Sequence, residues 1–283
     1  RIDVLYYLPL AIEKLSIAQS ASRRIDSFMR LDIGQENSSR ISIPATDEQQ
    51  QGRIQFSNSS FSWSDNRICL SIPQLVIDPG TFIGIVGPVG SGKSTLFAAI
   101  LQEIHLLEGQ LNTNGSSFSY APQAPWIFSD TLRKNILLNR PFNELRYRGV
   151  LDACCLNDDL NQFGPSRDLT VISERGVNLS GGQKARIALA RAIYCDADIY
   201  LLDDPFSSVD GQVAQQIYEK CIGPNGFLRN KTRLLATHQT EFLRQSDQII
   251  YLSQGQIVQQ DHSSLSHTED SDENENELLL CFC

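Results

Sequence analysis

Between positions 10 and 31, apolar Leu10, Ile12, Leu15, Ile25, Phe28, Met29 and Leu31 are interleaved with Glu13, Lys14, Arg23, Arg24 and Asp26, a spacing that predicts an amphipathic helix. Residues 34–52 follow, rich in Ser, Gln, Glu and Asp with one short apolar stretch, and read as a linker. From 53 to 260 the pattern changes. Short β-rich runs alternate with helical periodicity, the rhythm of a mostly parallel sheet covered by helices, which places this region in the α/β class. Strands are predicted at 82–86, 199–203, 233–237 and 248–252, and helices at 95–101 and 184–194. An insert at about 132–180 favours helix, lacks strong strand signals and reads as a helical subdomain. Residues 261–283 have the low complexity of a tail or connector.

Composition adjusts this picture at three points. The 283 residues are 41% apolar, enough to bury a core and consistent with one or two domains. The net charge of −9 argues against a broad basic surface for nucleic acid, but seven of the acids and none of the bases lie in 261–283. Without that segment 26 acids face 24 bases, so the body is near neutral and the case against nucleic acid passes to the motifs. The longest apolar run, 4–12, has nine residues, too few for a complete membrane-spanning helix. Seven cysteines at 69, 154, 155, 195, 221, 281 and 283 show neither zinc-ligand spacing nor a disulfide framework, which suits a reducing compartment. The adjacent Cys154 and Cys155 fit packing inside the helical insert. A start at Arg1, without initiator Met or signal-peptide layout, leads us to expect a segment of a longer protein.

Gly87-Pro88-Val89-Gly90-Ser91-Gly92-Lys93-Ser94 fits G-x-x-x-x-G-K-[ST] and stands in the required context, after an apolar strand and before a helical run that opens at Thr95. Glycines there let backbone N–H groups wrap a triphosphate, and the helix N-terminus adds partial positive charge. Lys93 can reach the β- and γ-phosphates, and Ser94 can ligate Mg²⁺. Ile199, Tyr200, Leu201 and Leu202 lead into Asp203 and Asp204, the layout of a buried strand delivering one carboxylate to the metal and a second to an attacking water.

Leu179-Ser180-Gly181-Gly182-Gln183, between the phosphate loop and the strand ending at Asp203, resembles the signature of ABC ATPases. Other elements of that family follow in order. Trp63 is similar to the aromatic residue that stacks on adenine, Gln123 to the Q-loop residue, Ser207-Ser208-Val209-Asp210 to the D-loop and His238 to the switch histidine. Tyr120-Ala121-Pro122-Gln123-Ala124-Pro125-Trp126-Ile127-Phe128, Thr131-Leu132-Arg133 and Gly176-Val177-Asn178 resemble the first nucleotide-binding domain of the multidrug-resistance-associated, or C, subfamily. Ser22-Arg23-Arg24-Ile25-Asp26 resembles that subfamily's linking segment.

The resemblance implies a P-loop NTPase core with an antiparallel β edge and a helical subdomain. It implies that 1–33 end a transmembrane helix and link it onward, that 34–52 are linker, that 53–260 are the ABC domain, and that 261–283 lead to a second membrane domain. The implied cofactors are ATP and Mg²⁺. Nucleotide contacts fall to Trp63, Gly87, Val89, Gly90, Ser91, Gly92, Lys93, Ser94, Thr95, Ser180, Gly181, Gly182 and Gln183. Metal contacts fall to Ser94, Gln123 and Asp203, and the hydrolytic roles to Asp204, His238 and Gln123. In this family the signature residues serve nucleotide held by an opposite domain, so the implied partners are a second nucleotide-binding domain, joined head to tail, and transmembrane domains, with no nucleic acid. The setting would be the cytoplasmic face of a membrane, the plasma membrane, within a multi-pass protein.

Two functions follow from the resemblance. One is ATP-powered export of amphipathic organic anions, conjugates or drugs; the other is nucleotide sensing in a C-subfamily channel or channel regulator. A soluble relative acting on ribosomes or DNA is disfavoured by 4–12 and 22–26. Most ABC ATPases carry Glu where this chain has Asp204, and a carboxylate drawn back by about 1 Å can cost on the order of a hundredfold in rate. Weak hydrolysis at this domain's own site is therefore expected. Lys93→Ala is expected to abolish ATP binding in a titration of this chain; wild-type affinity in that variant would remove the phosphate-loop assignment.

Overall fold

The computed structural model describes residues 2–29, 51–63, 67–173 and 176–262, so the expected linker up to position 50 and the acidic segment beyond 262 lie outside the described residues. Two compact units are present, Arg1–Ser42 and Ile43–Cys283. In the first, helix α1 (Ile2–Met29) joins the apolar run 4–12 and the amphipathic stretch into one element that continues through Pro9. Side chains from Ile12 to Asp26 are exposed, apolar Leu15, Ile17 and Ile25 among them. No helix among the described residues is long and apolar enough to cross a membrane.

The second unit is built on one nine-stranded sheet. Its strands are β1 (Ile54–Ser62), β2 (Leu70–Ile77), β3 (Phe82–Val86), β4 (His105–Asn112), β5 (Phe118–Ala121), β6 (Ile199–Asp203), β7 (Thr232–Ala236), β8 (Gln248–Ser253) and β9 (Gln256–His262), in the order β4-β1-β2-β9-β8-β3-β7-β6-β5. Neighbours from β8 to β5 pair in parallel. At the other end β1 pairs antiparallel with both β2 and β4, giving the expected antiparallel edge.

Side-chain alternation divides the interior into two cores, one on each face of the parallel strands. Ile83, Ile85, Ile199, Leu201, Leu234 and Ala236 face the core that holds α2 (Lys93–Ile100), with its Leu96 and Phe97, and the β1 residues Phe56 and Phe61. Phe82, Tyr200, Leu202 and Leu235 face the opposite core, against Phe206, Tyr218, Phe242 and the helices. Strands covered on both sides must be apolar throughout, and β3, β6 and most of β7 meet that demand.

The insert folds as α3 (Leu132–Leu137), α4 (Glu144–Ala153), α5 (Asn157–Gln162) and a 3-10 turn (Gly164–Leu169). Thr131 caps α3 by accepting from Lys134 N, and Asn143 caps α4 by accepting from Arg146 N. A bridge between Thr131 and Val171 closes its base. Next come α6 (Gly181–Tyr194) and, after β6, α7 (Gly211–Ile217), capped by Asp210.

The insert is tied to α6 by a buried ion pair. Arg186 Nη2 donates to Asp159 Oδ1 and Oδ2 at 2.9 and 2.8 Å, and Arg186 Nε adds a third bond at 3.2 Å. Gln183 Nε2 donates to the same carboxylate at 3.1 Å. Both ionic side chains are largely withdrawn from water, so removal of one partner leaves the other charged and unsatisfied. Arg186→Ala is expected to lower unfolding stability by about 3–5 kcal/mol in a urea titration. A loss under about 1 kcal/mol would make the pair equivalent to a surface one.

Candidate nucleotide-binding site

The phosphate-loop motif leaves β3 at Val86 and enters α2 at Lys93. Gly90 and Gly92 adopt left-handed backbone at φ +80 and +107, which β-carbon-bearing residues avoid. A Cβ on Gly87 would run into Leu252 O and, at 2.6 Å, Ser91 Oγ, so that glycine is required for close packing. Gly90 is open on its outer side. Ser91 is only 2% exposed, and its Oγ is buried without a protein hydrogen-bond partner, a polar atom turned into the loop.

Lys93 Nζ folds over the same loop, donating to Gly87 O at 2.6 Å and Pro88 O at 3.0 Å. Burial lowers its pKa, while the carboxylates of Asp203 and Asp204 act in the opposite direction. Ser94 Oγ donates to Asp203 Oδ2 at 2.6 Å, and Tyr120 OH reaches the same oxygen at 3.3 Å. Burial and the charge of Asp203 push the Tyr120 hydroxyl well above the usual phenol range, so it stays a donor. Asp203 is 4% exposed at the end of β6, and its register partner is Ala236 on β7.

Asp204 turns off the strand at φ +47, donates from its backbone N to Ala236 O at 2.8 Å, and accepts from Thr237 Oγ1 at 3.3 Å. Exposed His238 follows directly. Exposed Gln123 shares one cleft with Asp204, Pro122, Ala185 and Ser207. Lys93, Ser94, Asp203 and Asp204 are thus brought together at the C-terminal ends of the parallel strands from two separate sequence segments. Val89, within the loop, is exposed, and Thr95 follows the loop.

The hydrogen bonds gathering these groups do not extend, among the described residues, to Trp63 or to residues 180–183. Trp63 follows β1 on the antiparallel half of the sheet and is 54% exposed. Ser180 and Gln183 are engaged in a capping box: Gln183 N donates to Ser180 Oγ at 3.2 Å, and Ser180 N donates to Gln183 Oε1 at 2.9 Å. A Cβ on Gly182 would press on Ser208 O at 3.0 Å, and one on Gly181 would touch Ser208 Cβ at 3.5 Å, so the two glycines let the signature lie directly on the D-loop segment.

Pattern reading missed Tyr120, Asp159, Arg186 and Arg191. Arg191, two turns along α6 from Lys184, grips the segment after Gln123: Nη1 donates to Trp126 O at 2.7 Å, Nε to Asn135 O at 2.7 Å and Nη2 to Asn135 Oδ1 at 3.2 Å. Its guanidinium lies 5.2 and 5.8 Å from the Trp126 and Phe128 rings, and burial pushes its pKa down to about 10. Asn135 completes the clamp, donating to Phe128 O and accepting from Phe128 N. No local pattern signals this clamp, because its two sides lie far apart along the chain.

Residues 70–207 match the family model described as ABC transporter. The chain is 43% identical over 253 residues to ATP-binding cassette sub-family C member 2 of Homo sapiens, covering 89% of this chain and 16% of that relative. It is 43% identical over 260 residues to sub-family C member 3 of Rattus norvegicus (91% of this chain, 17% of the relative), and 41% identical over 259 residues to sub-family C member 4 of Homo sapiens (92% and 19%). This is a C-subfamily ABC nucleotide-binding domain. The chain spans 16 to 19% of the length of these relatives.

Within the ABC domain, α6 carries the signature at its N-terminus and the Arg191 clamp near its C-terminus, so one rigid helix joins the signature to the segment after Gln123. Arg191→Ala is expected to accelerate amide hydrogen exchange at 126–136. Arg191→Lys should recover only part of the protection, because an ammonium cannot reproduce the planar fork. Wild-type protection in both variants would contradict the clamp.

Proposed function

We propose that this domain binds ATP as its magnesium complex in the loop of residues 87–94, hydrolyses it slowly, and serves as one of two nucleotide-binding domains of a membrane exporter for amphipathic organic anions, conjugates or drugs. The observation that carries the reading is the convergence of Lys93, Ser94 and Asp203 on a glycine loop that also encloses the buried Ser91 hydroxyl. The backbone N–H groups of Gly90 and Gly92, the Lys93 ammonium and the N-terminus of α2, where Thr95 lies in the first turn, supply positive potential for phosphate oxygens. Trp63 offers its exposed face to adenine; base–aromatic stacking is worth about 1–3 kcal/mol in nucleic-acid complexes.

Ser94, Asp203 and Gln123 present hard oxygen donors, the set that suits Mg²⁺. A cation of this kind would complete its shell with phosphate oxygens and water. When bound, Mg²⁺ neutralises charge on the β- and γ-phosphates. Asp204 accepts a proton from, and so orients, the water that attacks, and His238 donates toward the γ-phosphate. Gly181, Gly182, Ser180 and Gln183 serve nucleotide held by the second domain, so ATP joins the two head to tail.

Slow hydrolysis follows from the length of the Asp204 arm. The domain then acts chiefly by lending its signature to the partner's site on the cytoplasmic face of the membrane. In the intact protein containing this chain, Asp204→Glu is expected to raise single-turnover hydrolysis of ATP held by this domain by roughly ten- to a hundredfold. An unchanged rate would sink the assignment of weak hydrolysis to Asp204.

A further inference from the structure

We infer that Thr237 is a positioning residue, whose hydroxyl holds the Asp204 carboxylate in place for the water-orienting role assigned to it above; the inference rests on that role. Asp204 leaves β6 in a left-handed backbone conformation unusual for a residue with a side chain. The turn is held by its N–H on Ala236 O at 2.8 Å, and it carries the carboxylate sideways toward the end of the adjacent strand β7. There Thr237, 1% exposed, donates from Oγ1 to Asp204 Oδ1 at 3.3 Å.

The hydroxyl rotor is itself constrained. Gln239 N donates to Thr237 Oγ1 at 3.1 Å, occupying a lone pair and leaving the single proton to face Asp204. Thr237 N is held by Ile85 O at 3.4 Å, so the residue is fixed from the phosphate-loop strand as well. With Oδ1 engaged, Oδ2 is the oxygen available to accept from water. An aspartate gains more from such a restraint than a glutamate would, because one bond to a neighbouring strand removes most of the freedom of its two χ angles. At 3.3 Å the bond is longer than a usual hydroxyl–carboxylate contact, as catalytic hydrogen bonds often are before the reacting complex forms.

The test is a double-variant cycle in the intact protein, read as single-turnover hydrolysis of ATP at this site, with ATP affinity measured in parallel. Thr237→Val keeps the β-branched shape and deletes the hydroxyl; about a tenfold fall in rate at unchanged affinity is expected. Thr237→Ser should restore the rate to within about threefold of wild type. In an Asp204→Asn background, Thr237→Val should change the rate by less than about twofold, because both changes act through one carboxylate. A wild-type rate in Thr237→Val, failure of Ser to rescue, or the same tenfold loss in the Asn background would each overturn the inference. A wild-type rate in Asp204→Asn alone would instead remove the role of Asp204, and with it the basis for Thr237.

Discussion

A parallel strand buried on both faces can show polar side chains only where it ends, and the arrangement of the nucleotide site depends on this constraint. β3, β6 and β7 lie side by side with apolar residues facing two separate cores; Arg233, buried near the start of β7, is accommodated by backbone carbonyls such as Ile222 O, and the site's charged groups lie at the C-terminal ends of the strands. Lys93 follows β3 by one tight loop, Asp203 closes β6, and Thr237 and His238 follow β7. The in-register pairing of Asp203 with Ala236, and of Ala236 with Ile85, sets the three ends level. The short Ser94–Asp203 hydrogen bond is a product of that alignment.

A second organising element is α6. Its first turn is closed by the Ser180–Gln183 capping box, its glycines accept the close approach of Ser208, its middle holds Asp159 of the insert through Arg186, and its later turns hold Trp126 and Asn135 through Arg191. The Arg186–Asp159 pair satisfies two charges that would otherwise be costly to bury. Together these contacts join the signature, the helical insert and the segment after Gln123 through one helix.

Much of this was legible in the chain. β3 and β6 coincide with their apolar runs, and α6 extends the expected helix back to Gly181, where Ser and Gln three apart form the cap. β1 and β4 were harder to read. β1 is IQFSNSSFS, with Ser at positions that pair across both of its neighbours, and a bulge interrupts its pairing with β4. Such a strand, paired on both sides, is specified by its neighbours more than by its own propensity. The unbroken course of α1 through Pro9 likewise runs against the local preference of that residue.

What the sequence determined by itself was the set of local, contiguous signals: the glycine loop with Lys93 and Ser94, the strand that delivers Asp203 and Asp204, and the signature with its helix start. These are legible because strand periodicity, tight turns and capping depend on residues a few positions apart. Only the tertiary structure decided which distant groups meet. Nothing near Asp159 announces Arg186, nothing near Asn135 announces Arg191, and nothing near Asp204 announces Thr237. Each partner is selected by sheet register and helix packing, which bring segments together irrespective of their separation along the chain.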